Sequence, residues 1–296
     1  MNKSILISIS LLLILEACNN PNNQKQVSKV DNTESTVTTE KIVKSVLGSE
    51  TLNAFDWTKP GLLKEKLLTS IKEKNKPVDV VLVDFIIEYG KLAGEFDNKL
   101  TELNCYDSLN TLAYSEDGKI YQSALDFEKK VEESGLRIAS TEGMIYITEN
   151  TDFIKSQVMD LLDTVAQEFI NLYCNEFDTI CCSDAAIIIS ENAVVSRIFR
   201  WGDLYDKAST LKYAKIAEDE FYSNLSLLYD GQDNTPAFDW ETKKFNESSL
   251  SIMKAYINQY PSSKASKEFI TYIELLASED YERTEKVIQF LKEKFN

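Results

Sequence analysis

The sequence predicts an all-α protein, built as a helical bundle or as an array of helical hairpins, with one small β-hairpin near residues 136–147. The 296 residues include only nine Gly and five Pro, which indicates long regular elements with few tight turns. Lys, Glu, Ile and Leu are frequent, and apolar residues recur at helical spacing along most of the chain. Both observations favour helices over strands.

The first half of the domain carries the longest apolar pattern. A first helix is expected to begin near Thr39, and others are expected over residues 62–71 and 121–134. Residues 78–103 follow Pro77, which suits the first turn of a helix, and they carry a long apolar stripe. We therefore expect a long, largely buried helix there.

Residues 136–147 differ from the rest of the chain. Two short apolar runs, residues 136–139 and 144–147, flank four residues that end in Gly143. Such runs around a turn are typical of a β-hairpin.

The second half predicts a succession of helices joined by short loops. Asp152 is expected to cap one long helix that reaches about Tyr173, and Ser183 with Asp184 to begin the next. The turn at Asp230–Gly231 is expected to end a helical stretch. The remaining helices are predicted over residues 185–201, 204–228, 247–260, 264–276 and 280–295.

The amino terminus has the pattern of an export signal. Lys3 precedes an apolar run of about a dozen residues, which has the length of a signal-peptide core and is too short to span a bilayer. Leu15–Glu16–Ala17–Cys18 follows and resembles the lipobox of bacterial lipoproteins. That resemblance implies that residues 1–17 are removed and that Cys18 carries a diacylglycerol thioether and an acylated amine.

The resemblance to lipoproteins also sets the expected organisation and location. Residues 18–40 are polar, show no apolar face and are expected to be a flexible tether. Residues 41–296 form the helical domain, either as one body or as subdomains 41–150 and 151–296. The lipid on Cys18 would hold the protein at a membrane of the bacterial cell envelope, with the outer membrane favoured over the inner one.

Two further similarities concern the domain. Residues 256–265 resemble the joint between the helices of tetratricopeptide-like repeats, although no repeat period is present. Residues 135–153, together with residues 235–238, resemble a family of mainly helical bacterial envelope proteins, and that resemblance brings no activity with it. Ala54–Phe55–Asp56–Trp57 also recurs as Ala237–Phe238–Asp239–Trp240, either by chance or through a duplicated half.

Charge and composition exclude several classes of function. The formal net charge is −16, so the surface repels phosphate backbones, and nucleic-acid binding is not expected. The chain has no histidine, which excludes Ser-His-Asp and Cys-His catalysis and His-ligated zinc hydrolysis. Asp230, Asp233 and Asp239 lack the spacing of a calcium-binding EF-hand loop. No cofactor and no metal are therefore expected.

The cysteines other than Cys18 leave two interpretations open. They are either small buried hydrophobic residues or partners in a disulfide, which an exported domain can form. Cys181 and Cys182 are adjacent and would form a strained ring. A pairing of Cys105 with Cys174, Cys181 or Cys182 is therefore the preferred disulfide.

Two classes of function remain. The first is a non-enzymatic envelope module that binds a protein or peptide partner, and the tryptophans at positions 57, 201 and 240 are candidates for lining its groove. The second is a cell-wall or glycan hydrolase that uses two carboxylates. Its candidate acids are Glu142, with Glu191 or Asp203 near Trp201. No residue is assigned a catalytic role, and the binding module is the favoured interpretation.

Overall fold

The computed structural model describes residues 49–113, 120, 122–141 and 143–295, which are mostly helical with short antiparallel strand pairs. The all-α prediction is confirmed at this level. Cys18, the tether, the start of the helix near Thr39 and Glu142 lie outside the described residues. Among the residues that are described, no helix is both long enough and apolar enough to cross a membrane.

The chain divides into two compact units. The first unit contains the described residues of Met1–Asn75 together with Val83–Ile154, and the second contains Lys76–Leu82 and Lys155–Asn296.

The first unit is built around a long helix. Its elements are α1 Ser49–Asn53, α2 Lys59–Glu73, α3 Val78–Glu102 (from Val83 onwards), α4 Tyr106–Leu109, a 3-10 turn Asn110–Leu112, α5 Gln122–Glu133, and the strands β1 Leu136–Thr141 and β2 Met144–Glu149. The helices predicted over 62–71, 78–103 and 121–134 are present. One face of α3 is buried, through Phe85, Tyr89, Phe96 and Leu100. Phe96 contacts Phe55, with 5.3 Å between the ring centroids.

The predicted hairpin is present as β1 and β2. The strands pair antiparallel, with Leu136 opposite Glu149. Gly135 has a φ of +89°, a backbone conformation that favours glycine because it has no Cβ. The Tyr89 hydroxyl donates to the Gly135 carbonyl and accepts the Asn150 N–H at 3.3 Å. These hydrogen bonds fasten the open end of the hairpin, where β1 begins and β2 ends, to α3.

The second unit contains six longer helices among its described elements. In chain order its elements are the 3-10 turn Met159–Leu161, α7 Thr164–Asp178, β3 Cys182–Ser183, β4 Ala186–Ile187, α8 Glu191–Lys207, α9 Ala214–Tyr229, β5 Gly231–Gln232, β6 Thr235–Pro236, α10 Glu247–Gln259, α11 Lys264–Ser278 and α12 Glu285–Phe295. The preceding helix, α6 Thr151–Val158, begins in the first unit and ends in the second.

The prediction of one continuous helix from Asp152 to Tyr173 is wrong. Leu162 adopts an extended conformation with a ψ of 150°, so that the chain leaves the helix before α7 begins. The Asp163 carboxylate then accepts the Ala166 N–H at 2.9 Å and caps the amino terminus of α7. The apolar spacing continues across residues 162–163 and favours one helix, but the Asp163 cap starts a new helix there instead.

Two predicted helix starts are also wrong, because the chain turns at those positions. Asp184 and Ala185 have φ values of 49° and 53° and form the turn between β3 and β4, while Ser190 caps α8. Asp280 and Tyr281 have φ values of 52° and 59°, and α12 therefore begins only at Glu285. Successive residues with positive φ are incompatible with a right-handed helix.

The second unit is closely packed around aromatic side chains. The rings of Tyr229 and Tyr272 stack with 3.8 Å between centroids, and the Tyr272 hydroxyl donates to the Tyr229 carbonyl at 2.9 Å. Helices α8 and α9 approach closely at Gly202, where an added Cβ would lie 2.8 Å from the Phe221 ring.

Candidate functional site

Glu191 and Asp203, two of the acids that the sequence suggested for a hydrolase, do not form a pair. They are twelve residues apart on α8, which corresponds to about 18 Å along a helix axis. The Glu191 carboxylate accepts hydrogen bonds from the hydroxyls of Ser248 and Ser249, and Asp203 pairs with Lys207 at 2.5 Å. Carboxylates that hydrolyse glycosides lie about 5–10 Å apart, so these two acids cannot act together.

Trp201 is a core residue and lines no groove. Its side chain is fully buried, and its indole N–H donates to Glu176 Oε1 at 2.9 Å. The other oxygen of Glu176 accepts from Arg197 Nη1 at 2.5 Å, and Arg197 Nη2 donates to the Thr179 carbonyl. An acid does lie beside Trp201, but it is Glu176, which the sequence analysis did not single out.

The ion pair between Glu176 and Arg197 is largely buried. The exposed fractions of the two side chains are 18% and 6%. Burial raises the pKa of Glu176, while the hydrogen bond from Trp201 and the positive charge of Arg197 oppose that rise. Such a pair joins α7 to α8, and the loss of one partner would leave an uncompensated charge in the interior.

Glu220 on α9 belongs to the same buried region and was also missed. Burial raises the pKa of its carboxyl to about 8, and the negative charge of Glu176 adds to the rise. The residue as a whole is half-buried, and its side chain makes no hydrogen bond or ion pair with the residues that the structure describes. Helical spacing could have indicated it, because Glu220 lies four residues after Ile216 and four before Asn224, and both of these residues are buried on the same face of α9.

The loop that contains Trp240 presents a large aromatic side chain to solvent in the second unit. Trp240 is 62% exposed. The neighbouring Phe238 and Phe245 are buried and meet edge to face, with ring centroids 5.2 Å apart. These two aromatic rings anchor the loop on both sides of Trp240, so that the indole is held outward on a fixed base.

Asp239 fixes the turn that follows Phe238. Its carboxylate accepts the Thr242 N–H at 2.7 Å, the Thr242 hydroxyl at 2.8 Å and the Glu241 N–H at 3.1 Å. These hydrogen bonds, the Thr242 N–H first among them, lower the pKa of Asp239. The turn is therefore ordered by its own side chain.

An open pocket of about 610 Å³ lies beside this loop, lined by Trp240, Asp239, Lys244 and Glu247 among others. Lys243 Nζ lies 5.8 Å from the centroid of a Trp240 ring, and Lys244 is paired with Glu282 at 2.9 Å. A flat aromatic face, a polar rim and a concave surface therefore meet at one place. Ligand sites in proteins commonly combine these three features.

The two copies of the Ala-Phe-Asp-Trp sequence have different surroundings. Phe55 and Phe238 are both buried. Trp57 is half-buried, packs against Phe55 at 5.2 Å and donates its indole N–H to the Leu52 carbonyl at 2.6 Å. Trp57 therefore packs against the core of the first unit, whereas Trp240 faces solvent. Of the three candidate tryptophans, only Trp240 lines the pocket.

The candidate calcium and disulfide residues have other roles. Asp230 pairs with Arg283 at 2.6 Å, and Asp239 is bound within its own turn. No three His, Cys, Asp or Glu side chains converge as a metal site would require, as far as the described residues extend.

All four described cysteines are thiols, so the preferred pairing of Cys105 with Cys174, Cys181 or Cys182 is not formed in this structure. Cys105 belongs to the first unit, where its sulfur lies 3.6 Å from the Leu103 carbonyl oxygen, whereas the other three cysteines belong to the second unit.

Comparisons with profiles of protein families, with curated proteins and with solved structures found no match for this chain.

Proposed function

We propose that this chain is a lipid-anchored protein of the bacterial cell envelope whose helical domain binds a protein or peptide partner and catalyses no reaction. In this proposal residues 1–17 are removed, the lipid on Cys18 holds the protein at the outer membrane, and residues 18–40 are the tether. The lipobox-like residues 15–18 and the apolar run before them support the anchor. A net charge of −16 leaves electrostatic attachment to an anionic lipid surface unfavourable.

The exposure of Trp240 is the observation that carries the binding role. The indole is 62% exposed, and covering its apolar surface with a partner would be favourable. Tryptophans are enriched among the residues that contribute most to protein interfaces. Since Phe238 and Phe245 hold the loop, little conformational entropy is lost when a partner covers Trp240.

The charge of the protein indicates the chemistry of the partner. The chain carries 48 acidic and 32 basic residues. At the Trp240 loop Glu241 and Glu247 are exposed, while Lys244 is already paired with Glu282 and Lys243 lies over the Trp240 ring. A basic polypeptide with an apolar or aromatic side chain fits this surface, since its charges would be attracted and its apolar side chain would cover the indole.

We further propose that the helices of the second unit form an array of helical hairpins. Helices α10 and α11 are joined by only four residues, and Ser263 caps α11 by accepting the Ser266 N–H at 3.1 Å. Short joints of this kind favour antiparallel neighbours. Hairpins that pack side by side leave their connecting loops at the ends of the array, which is where a partner could reach the Trp240 loop.

The binding role is tested with three forms of the full lipidated chain: the unchanged protein, Trp240→Ala and Ile188→Ala. Ile188 is the matched control because it is 58% exposed and lies in the same unit. Each form is used to recover proteins from detergent-solubilised envelopes, which are then quantified by mass spectrometry. We expect a basic protein to be recovered by the unchanged chain and by Ile188→Ala, and about tenfold less by Trp240→Ala. Equal recovery by all three forms would contradict the proposal.

The anchor is tested separately. Cys18→Ser should leave an unprocessed precursor that takes up no labelled fatty acid, whereas Cys105→Ser should be processed and labelled like the unchanged protein. Fatty-acid labelling of Cys18→Ser would contradict the lipoprotein assignment.

A further inference from the structure

Cys181 and Cys182 place two thiols in direct contact. The two Sγ atoms are 3.0 Å apart, and both residues are half-buried. Cys182 begins β3 and lies opposite Ile187 of β4, while the Cys181 carbonyl accepts the Ile188 N–H at 2.9 Å. The backbone on both sides of the pair is therefore fixed, and the contact between the sulfurs does not depend on a flexible loop.

The surroundings distinguish the two sulfurs. A hydrogen bond from Cys181 is the main cause that lowers the pKa of Cys182, and the positive charge of Arg197 acts in the same direction. The same hydrogen bond raises the pKa of Cys181, and burial adds to the rise. The buried Arg197, held by Glu176 and the Thr179 carbonyl, cannot turn away to another partner. These causes make Cys182 the more acidic thiol of the pair, although burial and the charge of Glu176 oppose the lowering of its pKa.

We propose that Cys181 and Cys182 form a redox-reactive pair that is oxidised to an intramolecular disulfide by exchange with a low-molecular-weight disulfide. The contact between the two sulfurs supports this role, because thiol–disulfide exchange requires a thiolate and a second thiol within reach, and the positive charge of Arg197 favours the thiolate. The half-buried position favours a small disulfide over a protein, which would need a wider approach.

The exchange takes place in two balanced steps. The Cys182 thiolate attacks one sulfur of the external disulfide, whose S–S bond breaks, and the first external thiolate leaves and takes the proton of Cys181. The Cys181 thiolate then attacks the Cys182 sulfur, the bond between the two cysteines forms, and the second external thiolate leaves. The protein loses two electrons, and these reduce the external disulfide. A disulfide between adjacent cysteines closes a small, strained ring, so it should be readily reduced again.

The test uses oxidised glutathione as the disulfide and the full-length, initially reduced protein. After the reaction the remaining thiols are alkylated under denaturing conditions and the chain is analysed by intact mass and peptide mapping. We expect the unchanged protein to lose two hydrogens and to show no alkylation at Cys181 and Cys182. Cys174→Ser, which removes a fully buried thiol of the same unit, should behave in the same way.

The single variants of the pair distinguish the roles of the two sulfurs. Cys181→Ser keeps a hydroxyl that can donate to Cys182, so it should accumulate a stable glutathione adduct at Cys182. Cys182→Ser should react more slowly, because Cys181 is the more deeply buried sulfur of the pair and an external disulfide reaches it less easily. Far-UV circular dichroism of both variants checks that they are folded. The proposal is overturned if the unchanged protein accumulates only glutathione adducts, if a disulfide forms with Cys105 or Cys174, or if both variants react equally slowly.

Discussion

Replacement of Glu220 by Gln should make the protein more stable at high pH and leave its stability unchanged at low pH. Burial raises the pKa of this carboxyl to about 8 from an ordinary value of 4.5, with the charge of Glu176 as a further cause and with Arg197 opposing it. Between these two pH values the folded protein therefore binds more protons at this site than the unfolded chain. The free energy of unfolding consequently falls as the pH rises from about 4.5 to about 8.

The size of this effect follows from the shift. One pKa unit corresponds to about 1.4 kcal/mol, so the full shift would cost about 5 kcal/mol above pH 8. Because Glu220 as a residue is only half-buried, water reduces the cost, and we expect Glu220→Gln to be more stable by about 2–3 kcal/mol at pH 9. The isosteric amide carries no charge at any pH, which is why the gain should disappear at pH 4.

Urea unfolding of the reduced protein, followed by circular dichroism between pH 4 and pH 9, measures this difference. Glu274→Gln is the control, because it makes the same replacement at an exposed position on α11. Its stability relative to the unchanged protein should not vary with pH in this way. A constant difference between Glu220→Gln and the unchanged protein across this range would refute the reasoning.

Three further changes test the packing of the second unit by denaturant unfolding. Arg197→Met should lower the free energy of unfolding by about 3–5 kcal/mol, because it leaves Glu176 without its ion-pair partner in the interior. The additional change Glu176→Gln should restore most of that loss, and no recovery in the double variant would contradict the ion-pair account. Gly231→Ala should cost about 2 kcal/mol or more, since Gly231 has a φ of +81° and an added Cβ would lie 2.5 Å from the Thr235 carbonyl oxygen. Trp240→Ala should change the free energy of unfolding by less than about 0.5 kcal/mol, because the side chain is 62% exposed; a larger loss would mean that Trp240 serves the fold.

Helix positions could be predicted where an apolar pattern and a residue that limits a helix, such as proline, indicated the same boundary. Helix α3 follows Pro77 and keeps one apolar face over 25 residues, so its type and extent could be predicted from the sequence. The break before α7 could not, because Asp163 interrupts a stripe that continues on both sides and the outcome depends on a single side-chain cap. The turn at Asp184 and Ala185 was missed for a similar reason, since neither residue requires a positive φ.

The candidate sites were less predictable than the fold. The two Ala-Phe-Asp-Trp segments are identical in sequence, and only the packing around Trp57 and Trp240 decides which indole is exposed. Glu220 is one of 48 acidic residues, and its position on the buried face of α9 becomes informative only when that face is known. The contact between Cys181 and Cys182 depends on the turn between β3 and β4, and the sequence had predicted the start of a helix at those residues.

Site-specific photo-crosslinking in intact cells tests the binding role of the Trp240 loop most directly. A photoreactive phenylalanine derivative at position 240 of the full lipidated chain should give one discrete crosslinked product with a basic envelope protein. The same residue at position 188, which is similarly exposed in the unchanged protein, should not give that product. The account predicts a product specific to position 240 that is weakened by high salt, because the attraction between the acidic surface and a basic partner is screened. No product at position 240, or the same products at both positions, would contradict it.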